Sequence, residues 1–211
     1  MSGQRLVLLG DSILDNAPYT TPDPDTTTHL CRLLAPSWGV ELLAQDGARM
    51  SDVRHQLAVA GRPAVAILSI GGNDAIEHLE LLAKPASSSA DVLNELVAIA
   101  DAFASRYQAV AGAVADRAGR VILCTIYEVP LEPPALARLA RVPLALLNDR
   151  IIRTGARLGL DVLELRSVCT EAADFTWQIE PSARGAEKIA NAIAAVLRDV
   201  PGLGSARVFS A

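Results

Sequence analysis

At 211 residues, with 51% hydrophobic and 20% charged side chains, the chain is long enough to bury one core and too apolar to stay disordered. A formal net charge of −5, with no Lys/Arg run interleaved with aromatics, gives no field for holding a phosphate backbone and excludes nucleic acid as a partner. No apolar segment approaches the roughly 18 to 20 uninterrupted residues of a membrane span, so no membrane partner is expected.

The first apolar run, residues 5–9, stops at Gly10-Asp11-Ser12, too soon for the apolar region of a signal peptide, and the mature chain is expected to begin near Met1. That run reads as a strand, and further strands are predicted over residues 40–44, 64–70, 120–126 and 161–165. Helical spacing follows each of them, predicting helices over residues 27–34, 51–60, 90–118, 135–158 and 182–197. Runs such as Val65-Ala66-Ile67-Leu68 and Val121-Ile122-Leu123 are apolar at every position, which suits parallel strands buried on both faces. The expectation is a single α/β domain, residues 1–211, with helical layers on both sides of a parallel sheet and no repeat or linker.

Three irregular stretches, residues 16–26, 84–89 and 129–134, are rich in Pro, Ser, Thr or Asp. The first and third leave the carboxyl end of a strand, where ligands bind in open α/β sheets, so they read as a pocket rim or as plain surface loops. Cys31, Cys124 and Cys169 are odd in number and lack metal-ligand spacing. They read as buried reduced thiols, which points to the cytoplasm.

Gly10-Asp11-Ser12 stands where the first strand turns, a place that exposes a hydroxyl at the carboxyl edge of the sheet, although the same residues also make ordinary turns and helix caps. Gly71-Gly72-Asn73-Asp74 ends the third strand in the same way; glycine there lets backbone approach a ligand, and the Asn amide is a neutral donor for a developing oxyanion. Asp46-Gly47-Ala48 follows the second strand and carries little meaning by itself.

Taken in order, these three motifs resemble the SGNH (GDSL-type) serine hydrolase family. The resemblance extends to residues 179–190, which look like the family's closing segment, normally Asp-x-x-His-Pro followed by a Gly and an Ile-Ala pair. It implies a flavodoxin-like three-layer α/β/α sandwich with five parallel strands in the order 2-1-3-4-5. It also implies Ser12 as nucleophile, with the Ser12 N–H, the Gly47 N–H and the Asn73 side chain as oxyanion donors. The implied substrate is a small ester or acyl group, and no metal or cofactor is implied.

The departure from the family lies at the triad. Glu180 stands in the position of the histidine and Trp177 in that of the aspartate, and His29, His55 and His78 all precede the final third of the chain. A glutamate's reference pKa of about 4.3 lies roughly two units below imidazole, making it a weak base unless burial raises it. Glu180 is therefore either the substitute base or an idle acid near a helix N-terminus. His78, His55 and Asp174 are lesser candidates, and Trp177 reads as wall or core. Three readings follow: an esterase using Ser12, Gly47, Asn73 and Glu180; a non-catalytic protein binding a carboxylate or acyl-bearing ligand; and an esterase completed by a histidine from another subunit. The oligomeric state is not legible.

Overall fold

Leu6, Val7, Leu8 and Leu9 are all wholly buried in strand β1 (Gln4–Gly10), which requires cover on both faces of the strand. A computed structural model describes residues 3–199 and 206–210 and supplies that cover. Leu6 and Leu8 pack toward α2 (Thr26–Leu34) and α7 (Ala183–Arg198), with Leu30, Ile189 and Ile193. Val7 and Leu9 pack toward α3 (Val53–Ala60), α5 (Ser89–Ala115) and α6 (Pro134–Leu158), with Leu57, Phe103 and Ile151. The two-residue period of the strand thus divides one apolar run between two cores.

The other sheet strands are β2 (Trp38–Leu42), β3 (Val65–Ser69), β4 (Arg120–Cys124), β5 (Asp161–Leu163) and β8 (Val208–Phe209). All pair in parallel, in the order β2-β1-β3-β4-β5-β8. The expected order 2-1-3-4-5 is present, but the sheet has six strands rather than five. The extra edge strand is two residues long, too short for any periodic signal. It is held by Asp161, which accepts from Arg120 Nη2 at 2.7 Å and Arg207 Nη2 at 3.1 Å, while the Arg207 guanidinium lies 4.7 Å from the centre of the Phe209 ring.

The predicted strands of residues 40–44, 64–70 and 120–126 overrun the observed ends at Leu42, Ser69 and Cys124. Ala44, Ile70 and Ile126 are buried although they lie in loops, so hydrophobicity continues past the point where the ladder stops. Helix ends have plain causes: Ser88 accepts from Asp91 N–H at 3.1 Å ahead of α5, and Ser182 accepts from Gly185 N–H at 3.3 Å ahead of α7.

The stretch 16–26 holds a short helix, α1 (Ala17–Thr20), and is stitched by Asn16, which donates to Ile13 O and Thr26 Oγ1 and accepts from Thr26 N–H. Cys124 and Cys169 are buried as expected, but Cys31 is exposed, because the apolar stripe of α2 runs through Leu30 and Leu34. Among the described residues no helix is long and apolar enough to cross a membrane. The extreme positions of the expected domain, residues 1–2, 200–205 and 211, lie outside the described residues.

Candidate active site

The last residue of β1 is clamped from the side. Gln56 on α3 accepts from Gly10 N–H at 2.8 Å and donates to Gly10 O at 2.8 Å, so its amide stands in for a neighbouring strand. Gly10 has φ +137, and a Cβ there would lie 1.7 Å from Ser69 O, so only glycine fits. Asp11 N–H then donates to Ser69 O at 3.1 Å, while Asp11 O accepts from Leu14 N–H and Asp15 N–H. This tight turn sets Ser12 at the carboxyl edge of the sheet, 8% exposed.

β3 ends in the same plane. Gly71 has φ +115 and lies against the Phe103 ring, and α4 (Gly72–Ile76) starts at once. Asn73 donates its amide to Ala48 O at 2.9 Å, which leaves a second amide N–H. Asp74, 2% exposed, accepts from Met50 N–H at 3.1 Å and from Arg106 Nη1 at 3.0 Å. It thereby ties the turn after β2 to α4 and α5. Asp74→Ala should cost about 2 kcal/mol by leaving Met50 N–H and the guanidinium unpaired. Chemical denaturation measures that loss, and an unchanged midpoint would show the tie to be dispensable.

Glu180 arrives from the other side, on a hairpin of β6 (Phe175–Thr176) and β7 (Glu180–Pro181), with Thr176 opposite Glu180. The connecting turn is tight enough to hold Trp177 at φ +48 and Gln178 at φ +69. Its crest is pinned by Tyr127, which donates to Ile179 O at 2.8 Å, and by Gln178, which accepts from Glu132 N–H at 2.9 Å. Glu180 is 8% exposed. Burial raises its pKa, the nearby Ser12 hydroxyl pulls it back by hydrogen bonding, and the charge of Asp46 raises it again.

Ser12, Asn73 and Glu180 line one pocket of about 120 Å³. Away from this polar end its walls are apolar, with Leu79 and Leu82 from a 3₁₀ turn, Leu96 and Ile99 from α5, and Leu144 and Leu147 from α6. Val129 and Leu131 also line it, so the expected rim at residues 129–134 is present, whereas no residue of 16–26 or 84–89 reaches it.

Gly47 is exposed in the turn after β2, with φ +75, and is not among the lining residues. It is joined to the site through its neighbour Ala48, the acceptor of Asn73. His78 lines the pocket, and His55 is exposed on α3. Asp174 is absent from the lining and is engaged by Thr170 N–H, Glu171 N–H and Lys188 Nζ. Trp177, expected as wall or core, is 79% exposed and meets Tyr19 edge to face at 5.5 Å, because its left-handed turn throws the indole outward. Ser182 is the cap of α7, and Glu180 lies two residues ahead of it. Sequence reasoning missed Gln56, whose position on the buried stripe of Val53, Leu57 and Ala60 was the available signal.

A parallel sheet between helical layers, with strand order β2-β1-β3-β4-β5 and a serine at its carboxyl edge, defines the class as a flavodoxin-like three-layer α/β/α sandwich. The chain belongs to the GDSL-like Lipase/Acylhydrolase family, whose sequence model matches residues 8–188. No curated protein matches the chain. Among solved structures, LAE5, an alpha/beta hydrolase enzyme from the metagenome of Lake Arreo, Spain, superposes with a TM-score of 0.70 at 20% identity, covering 95% of this chain and 98% of that one. An acetylxylan esterase from Geobacillus stearothermophilus gives 0.66 at 16% identity over 94% and 96% of the two chains. Phospholipase A1 from Streptomyces albidoflavus gives 0.67 at 16% identity over 94% and 100%. At these identities the likeness is one of fold.

Proposed function

We propose that the protein hydrolyses a small ester with an apolar acyl part by attack of Ser12. Glu180 takes the Ser12 proton as the serine oxygen bonds to the acyl carbon, and the carbonyl oxygen becomes an oxyanion facing the Asn73 amide and the backbone N–H of Ser12. The protonated Glu180 returns that proton to the leaving alcohol, and the same carboxylate then activates the water that releases the acid.

The observation that carries this reading is the buried carboxyl of Glu180 beside Ser12, where the family places its histidine. Burial works in the right direction, since it raises the basicity of a group that would otherwise be too weak. The apolar walls suit a hydrocarbon acyl group. A carboxylate ligand is a poorer fit, because the Glu180 carboxyl lines the pocket and the charge of Asp46 is felt there. The unpaired thiols suit a reducing, cytoplasmic setting.

Purified protein should turn over a short activated ester, and Glu180→Gln should lower kcat/KM at least about tenfold, since Gln keeps the size but cannot accept the proton. The rate should fall in acid with a midpoint above the ordinary glutamate value, as the raised pKa requires. Activity that survives Glu180→Gln and vanishes with His78→Asn would move the base role to the histidine.

A further inference from the structure

The mechanism above leaves one buried carboxyl in the pocket unused. Asp11 is 2% exposed and lines the same pocket as Ser12 and Glu180. One oxygen, Oδ1, accepts from Ile13 N–H at 3.2 Å. The other, Oδ2, is buried without a partner and lies on the open side of Gly72, 3.7 Å from where a Cβ would stand. Glu180 Oε2 is likewise buried without a partner.

Among the described residues neither carboxyl has an ion-pair partner. The guanidinium that α5 brings toward this end, Arg106, is paired with Asp74. The other titratable groups around Asp11 are Tyr107 from α5, Cys124 from β4, Tyr127 beyond it, Asp74 from α4 and Glu180 from β7. Glu180 in turn feels Asp46 from the turn after β2, and His78 lines the pocket wall. Two like charges sealed from water with no cation between them are costly, so one proton stays on the pair.

We propose that the site works with one negative charge between two carboxyl groups, Glu180 ionised to take the Ser12 proton and Asp11 protonated, so that ionising Asp11 stops the reaction on the alkaline side. The proposal rests on the assignment of Ser12 and Glu180 made above. The reaction creates an oxyanion in this pocket, and a second fixed negative charge there opposes it with little solvent to screen the repulsion. Asp11 keeps its proton throughout the cycle; its neutrality, not a proton transfer, is what the site needs. The order of ionisation follows from the surroundings. Burial, opposed by the Ile13 N–H and helped by the charges of Glu180 and Asp74, pushes Asp11 up to about 7, while Glu180 is lifted by its own burial and by Asp46. Glu180 alone has the Ser12 hydroxyl to stabilise its charge, whereas Asp11 Oδ2 has no donor, so the second charge falls on Asp11.

The test is the pH dependence of kcat/KM on a short activated ester, for the wild type and for Asp11→Asn. The wild type should show a bell with its alkaline limb at about 7. Asp11→Asn, permanently neutral and still able to accept from Ile13 N–H, should keep the acid limb and lose the alkaline one. A second measurement does not depend on turnover. A carboxyl with a raised folded pKa stabilises the fold fully below its unfolded value and loses that contribution as pH rises through the folded one. The Tm of Asp11→Asn should therefore gain on the wild type as pH rises from the ordinary carboxyl range through about 7. Turnover that requires Ser12 and Glu180 but stays level above neutral pH, or an alkaline limb that persists in Asp11→Asn, overturns the proposal alone. Turnover indifferent to both Ser12→Ala and Glu180→Gln overturns the assignment beneath it as well.

Discussion

Ser12→Ala is expected to lower ester turnover at least about a thousandfold, down to whatever the oxyanion donors and binding alone sustain. The size follows from the proposed chemistry: without Oγ no acyl-enzyme forms, and Glu180 has no serine to deprotonate. The fold should tolerate the change, because the turn that carries Ser12 is built by backbone groups, with Asp11 N–H on Ser69 O and Asp11 O accepting from Leu14 and Asp15. The loss should therefore appear in kcat at an unchanged Tm. Removing the hydroxyl also removes the one influence that lowers the Glu180 pKa, so that carboxyl should titrate still higher in the variant. Ester hydrolysis at the wild-type rate would remove Ser12 from the mechanism.

Gly10→Ala should be the most damaging single methyl group near the site. The new Cβ would stand 1.7 Å from Ser69 O, in a backbone with φ +137 that side chains seldom adopt. Relief requires the ends of β1 and β3 to part, and with them would go the Asp11 N–H bond to Ser69 O and the grip of Gln56 on Gly10. Strain and overpacking together should cost at least about 3 to 5 kcal/mol. In a domain of this size that is a Tm drop of roughly 10 °C. Activity should fall further than stability predicts, because Ser12 is two residues away. A variant with wild-type Tm would mean that the sheet edge yields more easily than its hydrogen bonds suggest.

The sheet was legible because buried parallel strands leave a strong local mark. Val65 to Leu68 and Val121 to Leu123 are apolar at every position, and each run is followed by a helix long enough to cross back. The strand ends were less legible, since Ala44, Ile70 and Ile126 remain buried after pairing has stopped. The edge strand Val208–Phe209 had no signature, because what holds it is an ion-pair cluster on Asp161 and not a pattern. In the pocket, Ser12 and Asn73 were found from motifs at strand ends, where the alternation itself puts side chains on one edge.

The linear order of residues was enough for the α/β class, because that class depends on local pattern, and the order of the first five strands and the missing histidine at the triad position followed from the resemblance of its motifs to the family. It could not decide what Glu180 faces, that Gln56 clamps Gly10, or that Trp177 points outward. Those depend on burial and on the angle of a three-residue turn, which arise only when segments far apart in sequence pack together. Asp11 shows the difference most sharply: its identity is plain in the motif, but its unpartnered oxygen and its pKa of about 7 exist only because the folded chain seals it in with Glu180 and gives it no cation.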